Sequence, residues 1–375
     1  MDLLTHAIIG AGAGAATQNS EKMRLGAVAG AVAALVVDLD YFIGSAHDPL
    51  LQIEFHRHFS HSILFIPIGA AFAALLLWPL LARRLGALRL YLATLAGYAT
   101  HSIVDVCTSY GVHLLWPFTD RRIALDLISV IDPVFTLAIG IPVAVALWRR
   151  QRSSLSLMLA SAAAYLGFSL WQQQQASTIA LQLAIDRGHE PVGLLVRPSF
   201  ANTLLWRSVY RYQGHWYIDA VRPGALAKST VYQGAPVPVF DQDRDLPDIP
   251  PDSRIGRDIR RLDRLADGYL AWVSREGERN GRLGDIRFSA VPTGESPMWG
   301  LEFDPTQPEA KPAWFVDREL TPAMRQRFIN QLRGRNGEAT TEQDAHSNKV
   351  LSEMTMSTSS RALKHARQTH ADDSA

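Results

Sequence analysis

Hydrophobic positions along the chain fall into two regimes. Up to about residue 172 they come in long runs of Ala, Leu, Ile, Val and Gly; beyond it they alternate with polar residues over short stretches. A helix that crosses a bilayer needs about 20 mostly apolar residues. Six segments meet or approach that length, at roughly 4–18, 25–43, 61–81, 88–107, 125–148 and 155–171. The first is short, and Gly10, Gly12 and Gly14 would let neighbouring helices approach closely, so it reads as a tightly packed span or a re-entrant piece.

After the run Gln172-Gln173-Gln174-Gln175 the pattern predicts strands at 192–196, 204–210 and 215–221, with Gln213-Gly214 as a hairpin turn. A helix is predicted over 255–274 from Ile259, Leu262, Leu265, Ala266, Tyr269, Leu270 and Val273, and further strands at 286–289 and 299–303. From about 334 the chain is polar without an apolar period, the composition of a disordered tail. The expected fold is an α-helical polytopic membrane bundle of about six spans (1–172), a small soluble α+β domain (178–333) and a disordered tail (334–375).

The 375 residues are 47% hydrophobic with a formal net charge of +1, and a mean hydropathy near zero averages the two unlike halves. The charge balance argues against a nucleic-acid binder. The lone Cys107 excludes a disulfide framework and a cysteine-rich zinc site. The start Met1-Asp2-Leu3-Leu4-Thr5-His6 lacks the basic stretch and cleavage site of a signal peptide, so the first helix is expected to be retained.

Basic residues in short loops mark the cytoplasmic side. Lys22 and Arg24, then Arg83, Arg84 and Arg89, then Arg149, Arg150 and Arg152 fall in alternate loops of six spans, while Arg57, Arg121 and Arg122 fall in the others. This topology puts His6, Asp38, Asp40, His56, His58, His61, His101, Asp105, Asp126 and Asp132 at the outer face. Ionisable residues in membrane segments are expensive and point to function.

Three histidines within six residues, His56, His58 and His61, open the third segment. His56 and His61 are the stronger candidates for a metal, because His58 alternates with His56 and faces elsewhere. His101 and Asp105 lie four apart and share a helix face, either as ligands or as a structural pair. Asp38 and Asp40 would diverge by about 200° on a continuous helix, so both reach one site only if the helix ends there. The alternative is that one of them meets water or Arg57. His6 is a ligand or an interfacial residue, and Asp132-Pro133 reads as a helix cap. Mixed His and Asp donors suit zinc, manganese or iron better than calcium. Neither Gly-x-Ser-x-Gly nor a phosphate-loop motif occurs.

Over roughly residues 1–145 the sequence resembles the YdjM-like family of bacterial inner-membrane proteins, described as LexA-regulated metal-dependent hydrolases. The resemblance rests on Thr5-His6-x3-Gly10, Asp38-Leu39-Asp40, His56-Arg57-His58-Phe59-Ser60-His61-Ser62, His101-Ser102-Ile103-Val104-Asp105, Thr108-Ser109-Tyr110-Gly111 and Trp116-Pro117-Phe118. Val37 and His58 stand where the family commonly has Pro and Gly. The expectation is a multi-pass inner-membrane hydrolase whose metal, zinc or manganese, is held by His6, Asp38, Asp40, His56, His61, His101 and Asp105. Asp40 or Asp105 would serve as general base, and Arg57 would hold an oxyanion. The expected partners are membrane lipid and a lipid or phosphoester substrate, not nucleic acid, with the C-terminal domain periplasmic. The alternative is a non-catalytic metal-binding membrane protein: a transporter, a sensor or an envelope scaffold.

Overall fold

The computed structural model describes residues 1–224, 228–274, 280–335 and 338–339. The N-terminal half is helical: α1 (Leu3–Ala16), α2 (Met23–Val36, continued by a 3-10 turn Val37–Phe42), a short α3 (Leu51–Phe55), α4 (Ile66–Leu85), α5 (Ala87–Val106), α6 (Pro133–Arg149) and α7 (Ser153–Asp186). Among the described residues, three helices are long and apolar enough to cross a membrane: Met23–Phe42, Ile66–Leu85 and Ser153–Asp186. Leu3–Ala16 and Pro133–Arg149 are apolar but shorter. α5 has the length but carries Arg89, His101 and Asp105. Length and apolarity thus carry the expected count of six only in part.

Small residues decide how the helices meet. Gly30 of α2 lies against both α1 and α5, and a Cβ on Gly97 would fall 2.1 Å from the Gly30 carbonyl oxygen. In lipid, where apolar side chains gain little by meeting each other, such close backbone contact holds helices together. The seam therefore joins α1, α2 and α5, the helices that carry His6, Asp38 and the His101–Asp105 pair.

α6 begins later than the apolar run from 125. Asp132 caps it, accepting from the Phe135 amide at 3.0 Å, and Pro133 occupies the first helical position. α7 does not stop at Trp171 but runs unbroken through the glutamines to Asp186. Gln is a good helix former, and here Gln173 Nε2 donates to the Leu125 and Asp126 carbonyls at 3.1 Å. At about 1.5 Å per residue the helix is about 50 Å long, more than a bilayer core needs. Its last turns pack Ala176 and Ala180 against Val196, Trp206 and Val221.

Two antiparallel sheets follow. One has the order β1 (Val192–Pro198), β2 (Trp206–Tyr212), β3 (His215–Arg222), β4 (Thr230–Gln233) and β10 (Glu338–Ala339), with β5 (Val237–Pro238) on β3. The other has β6 (Leu270–Ser274), β7 (Gly281–Asp285), β8 (Trp299–Phe303) and β9 (Ala313–Val316). Gln213 and Gly214 take φ of 45° and 75° between the paired Tyr212 and His215, the two-residue turn that the sequence predicts.

Three expectations change. The helix predicted to 274 ends at Leu265 (α9, Arg254–Leu265), because Asp267 and Gly268 take φ of 50° and 78° and redirect the chain into β6. Residues 286–289 are not a strand: β7 stops at Asp285, whose carboxylate accepts from the Arg287 amide at 2.9 Å. Past 334, Glu338 pairs with Val231 as β10, and the rest of the expected disordered tail, from 340, lies outside the described residues. Two other helices are α8 (Gln242–Asp245) and α10 (Pro322–Leu332).

The β-sheet-rich C-terminal domain docks on the bundle through the loops after α2 and α5. Leu50 is fully buried among Ile255, Ile259, Leu262 and Leu301. Arg261 of α9 meets Asp48 at 2.9 Å and Glu54 at 2.7 Å. Tyr110 stacks on Phe288 with centroids 4.5 Å apart.

Candidate metal centre

The 3-10 turn that ends α2 places Asp38 and Asp40 on either side of one imidazole. Asp38 Oδ1 lies 3.6 Å from His61 Nε2, and Asp40 Oδ2 lies 3.3 Å from His61 Nδ1. His61 itself ends the 3-10 turn Phe59–His61 ahead of α4. His101 and Asp105 enter from one face of α5, one helical turn apart.

Hydrogen bonds fix both rings. His101 Nδ1 lies 2.6 Å from the Ala34 carbonyl oxygen, which can only accept, so the proton is on Nδ1 and Nε2 is a lone pair. His61 Nδ1 lies 2.9 Å from Ser60 Oγ, and the Ser60 hydroxyl donates to Asp40 Oδ2. In the neutral ring His61 Nδ1 therefore carries the proton, which leaves its Nε2 a lone pair. The two Nε2 atoms face each other at 3.1 Å.

Asp38 Oδ1 and Asp105 Oδ2 complete the group. Asp38 Oδ1 is 3.3 Å from His101 Nε2, and Asp105 Oδ2 is 3.5 Å from both His61 Nε2 and His101 Nε2. Both oxygens are buried and neither accepts a hydrogen bond, although Asp105 Oδ2 has the Arg57 Nε at 3.3 Å. Four donors bound tetrahedrally at about 2.0–2.1 Å stand about 3.3–3.4 Å apart. Five of the six separations here run from 3.1 to 3.6 Å. The residues present fit a divalent ion held by mixed imidazole and carboxylate donors, with Asp38, His61 and His101 as one set of three.

Around these four stand the other expected residues. His6 stacks on His101, centroids 3.5 Å apart and planes at 8°, and its Nε2 is 3.2 Å from Asp105 Oδ1, which also meets the Met1 amino group. His56 Nδ1 is 2.8 Å from Asp40 Oδ1. Asp40 further accepts from the Arg57 amide at 3.0 Å. Arg57 takes a left-handed φ of 66°. Its Nε lies 3.3 Å from Asp105 Oδ2 and its Nη1 donates to Thr108 Oγ1 at 3.2 Å, so Arg57 turns to Asp105 and not to Asp38. Three overlapping sets could hold an ion: His6, His101 and Asp105; Asp38, His61 and His101; Asp38, Asp40 and His56.

His58 points away, 4.6 Å from the His113 ring. Asp126 pairs with Arg197 at 2.9 Å and Asp132 receives the Tyr165 hydroxyl at 2.7 Å, both outside the cluster. The side chains of His61, His101 and Asp105 are wholly buried, whereas Asp38 is 17% and His56 28% exposed. Approach is therefore along the Asp38–His56 edge, beside the exposed Leu39, Tyr41 and Phe42. The sequence pattern gave no sign of Ser60 or of the Ala34 carbonyl, because a hydroxyl or a main-chain oxygen carries no spacing signature.

Residues 1–176, which include the whole cluster, match the family model described as YdjM inner membrane protein. The chain is also similar to a Bacillus subtilis (strain 168) protein described as uncharacterized protein YfhP, 24% identical over 196 residues, 51% of this chain. That match spans 57% of the relative's length. No solved structure matches the chain.

Proposed function

We propose that this chain, whose N-terminal part resembles YdjM-like inner-membrane proteins, is a multi-pass metal-dependent hydrolase. The observation that carries the reading is the pair of facing His61 and His101 Nε2 atoms, flanked by the buried carboxylate oxygens of Asp38 and Asp105, in overlapping sets of three that could hold an ion. A bound divalent ion such as zinc or manganese would activate water and polarise a phosphoester or similar oxyanion.

His61, His101 and Asp105 are the buried anchors of that ion. Asp38, the exposed member, is the position that yields to water or substrate. Asp40 orients His61 and His56. Asp105, which also meets Arg57, His6 and the Met1 amino group, would serve as a ligand and not as the base. Arg57, held by Asp105 and Thr108, faces the charge that builds on the substrate oxygens. The apolar rim at Leu39, Tyr41 and Phe42 favours a lipid or lipid-linked phosphoester.

The cluster opens at the outer membrane–water interface in this reading, with the soluble domain in the periplasm. Support comes from the opposite end of the bundle, where the basic loops gather: Arg24 Nε donates to the Leu147 carbonyl at 2.9 Å and Arg152 Nη2 to that of Ala16 at 2.9 Å. A reporter fused after Arg333 should be active only outside the cytoplasm; activity inside would invert the topology.

A second reading, a non-catalytic envelope scaffold, draws on the same geometry, because an ion held by buried protein side chains alone resembles a structural ion site. Metal content and turnover on phospholipids and lipid-linked phosphates separate the two. Stoichiometric metal with metal-dependent turnover, altered in Asp38→Asn, supports the hydrolase. Stoichiometric metal with no turnover on any substrate supports the scaffold. No metal in the wild type even after divalent ions are supplied removes both.

A further inference from the structure

A second polar group lies on the other side of residues 57 and 58 from the cluster. His58 and His113 face each other at 4.6 Å, and Trp116 packs 5.6 Å from His58. The His113 amide donates to the Arg57 carbonyl at 3.1 Å, so residue 57 sends its side chain to Asp105 and its main chain to His113. Arg122 follows on the same loop. His58 Nδ1, His113 Nδ1 and Arg122 Nη2 are all closed off from solvent, and none has a partner among the described residues. Most buried polar atoms are hydrogen-bonded, so three orphans on side chains in mutual electrostatic range call for a ligand.

Charge decides what kind of ligand. Burial first, then the charges of Arg57 and Arg287, pull the Arg122 pKa down to about 10, which leaves it a cation at neutral pH. The carboxylates in its range, Asp267 and Asp285, are both held by Arg287, at 2.6 and 2.7 Å. Asp120, the acid beside the two histidines, is exposed. Arg122 is half-buried, with its Nη2 closed off, and a cation whose nearby carboxylates are taken by another arginine is left short of opposite charge. Water would satisfy the nitrogens but not the charge, and a metal ion would be repelled by the guanidinium. An oxyanion supplies both acceptors and charge.

We propose that His58, His113 and Arg122 form an oxyanion site, separate from the metal cluster, that takes a phosphate group, either inorganic phosphate or the phosphate of a lipid headgroup. A ring that donates from Nδ1 is available to His58 by tautomer choice, His113 lines the site with its ring bonded to the Asp120 main chain, and Arg122 supplies the charge. Leu115 and Phe118, 43% and 84% exposed on the same loop, set the site beside apolar surface. The proposal does not depend on hydrolysis.

The test uses the full chain in detergent, as purified and again after chelation, titrated with inorganic phosphate at constant ionic strength. Phosphorus NMR line width and melting temperature are the readouts. The wild type should show saturable broadening and a rise in melting temperature, with or without metal. Arg122→Gln should bind phosphate at least tenfold more weakly, yet melt no lower than the wild type without phosphate, because an uncompensated cation has gone. Arg122→Lys should keep part of the response, and His113→Gln should weaken it. Nanodiscs of phosphatidylcholine with or without phosphatidic acid identify the source. A response to phosphatidic acid alone assigns the site to a headgroup, and a response to inorganic phosphate assigns it to the free ion. A wild type that responds to neither, or a folded Arg122→Gln that responds like the wild type, overturns the site. A response lost on chelation moves the phosphate to the metal and also overturns it.

Discussion

His61 and His101 bring their Nε2 atoms to 3.1 Å of each other while the Nδ1 of each ring is committed to a protein acceptor. Two lone pairs held face to face repel unless a cation or a proton lies between them. Asp38 Oδ1 and Asp105 Oδ2 flank the pair, and neither accepts a hydrogen bond.

Asp40 tests how the rings are held. It accepts from His56, the Arg57 amide and Ser60, and it flanks His61 Nδ1. Loss of a partner that orients a ligating histidine weakens metal binding by about 10–100-fold. Asp40→Asn should therefore bind metal more weakly but stoichiometrically at excess, and Asp105→Ala should lose it. Equal metal affinity in Asp40→Asn and wild type, read by competition with a chelating dye, would separate Asp40 from the centre.

Gly97 tests the seam. Its missing Cβ would meet the Gly30 backbone at 2.1 Å, where no side-chain rotation relieves the clash. Gly97→Val should cost about 1–3 kcal/mol or more in stability and release metal at the same time, because α2 and α5 carry ligands. Melting in detergent beside metal content checks both. A stable variant that keeps its metal would show that the helices part without disturbing the cluster.

Arg261 is shared by Asp48, Glu54 and Asp258 across the junction of bundle and soluble domain. These groups are partly exposed, so Arg261→Ala should cost only on the order of 1 kcal/mol. The visible effect should be local: faster hydrogen exchange over residues 43–56 with unchanged exchange in α4. A uniform change across the chain would contradict a local junction.

His113 makes stability depend on pH. Burial, and after it the charge of Arg122, lowers its pKa to about 4. An unfolded histidine titrates near about 6.5. Between those values the unfolded chain holds a proton that the folded chain does not, so stability rises with pH there and falls on acidification from 6.5 toward 4. The melting temperature without phosphate should drop over that range, and His113→Asn should flatten the drop. Coincident curves for the two proteins would exclude His113 as the cause.

The residues of the cluster were legible because each was expensive where it stood. His6, His101 and Asp105 interrupt apolar helices, and Asp38 and Asp40 end one. Placing them at one end of six segments needed only the positions of the basic loops. What the sequence hid was the division of labour, since the difference between an ion-facing oxygen on Asp38 and a ring-holding one on Asp40 arises from a 3-10 turn. The helix predicted through Val273 failed for a related reason. Its apolar period continues past Asp267-Gly268, but the two positive φ values there make a turn, and the next residues satisfy a strand equally well. Gln172–Gln175 misled in the other direction: polar residues end a membrane span but not a helix. The match of His58 to His113 and Arg122 depended on a loop path that no periodicity encodes.

The docking of α9 on the loop after α2 also has a consequence for biogenesis. Every residue of the cluster lies at or before Asp105, whereas Arg261 and the rest of α9, which cover the neighbouring loop, come much later in the chain. At about 5–20 residues per second, the ribosome needs on the order of 10–30 s to travel from one to the other. During that interval the loop after α2 has no α9 to lie against, so residues 43–56 take their final packing only after every residue of the cluster has been made.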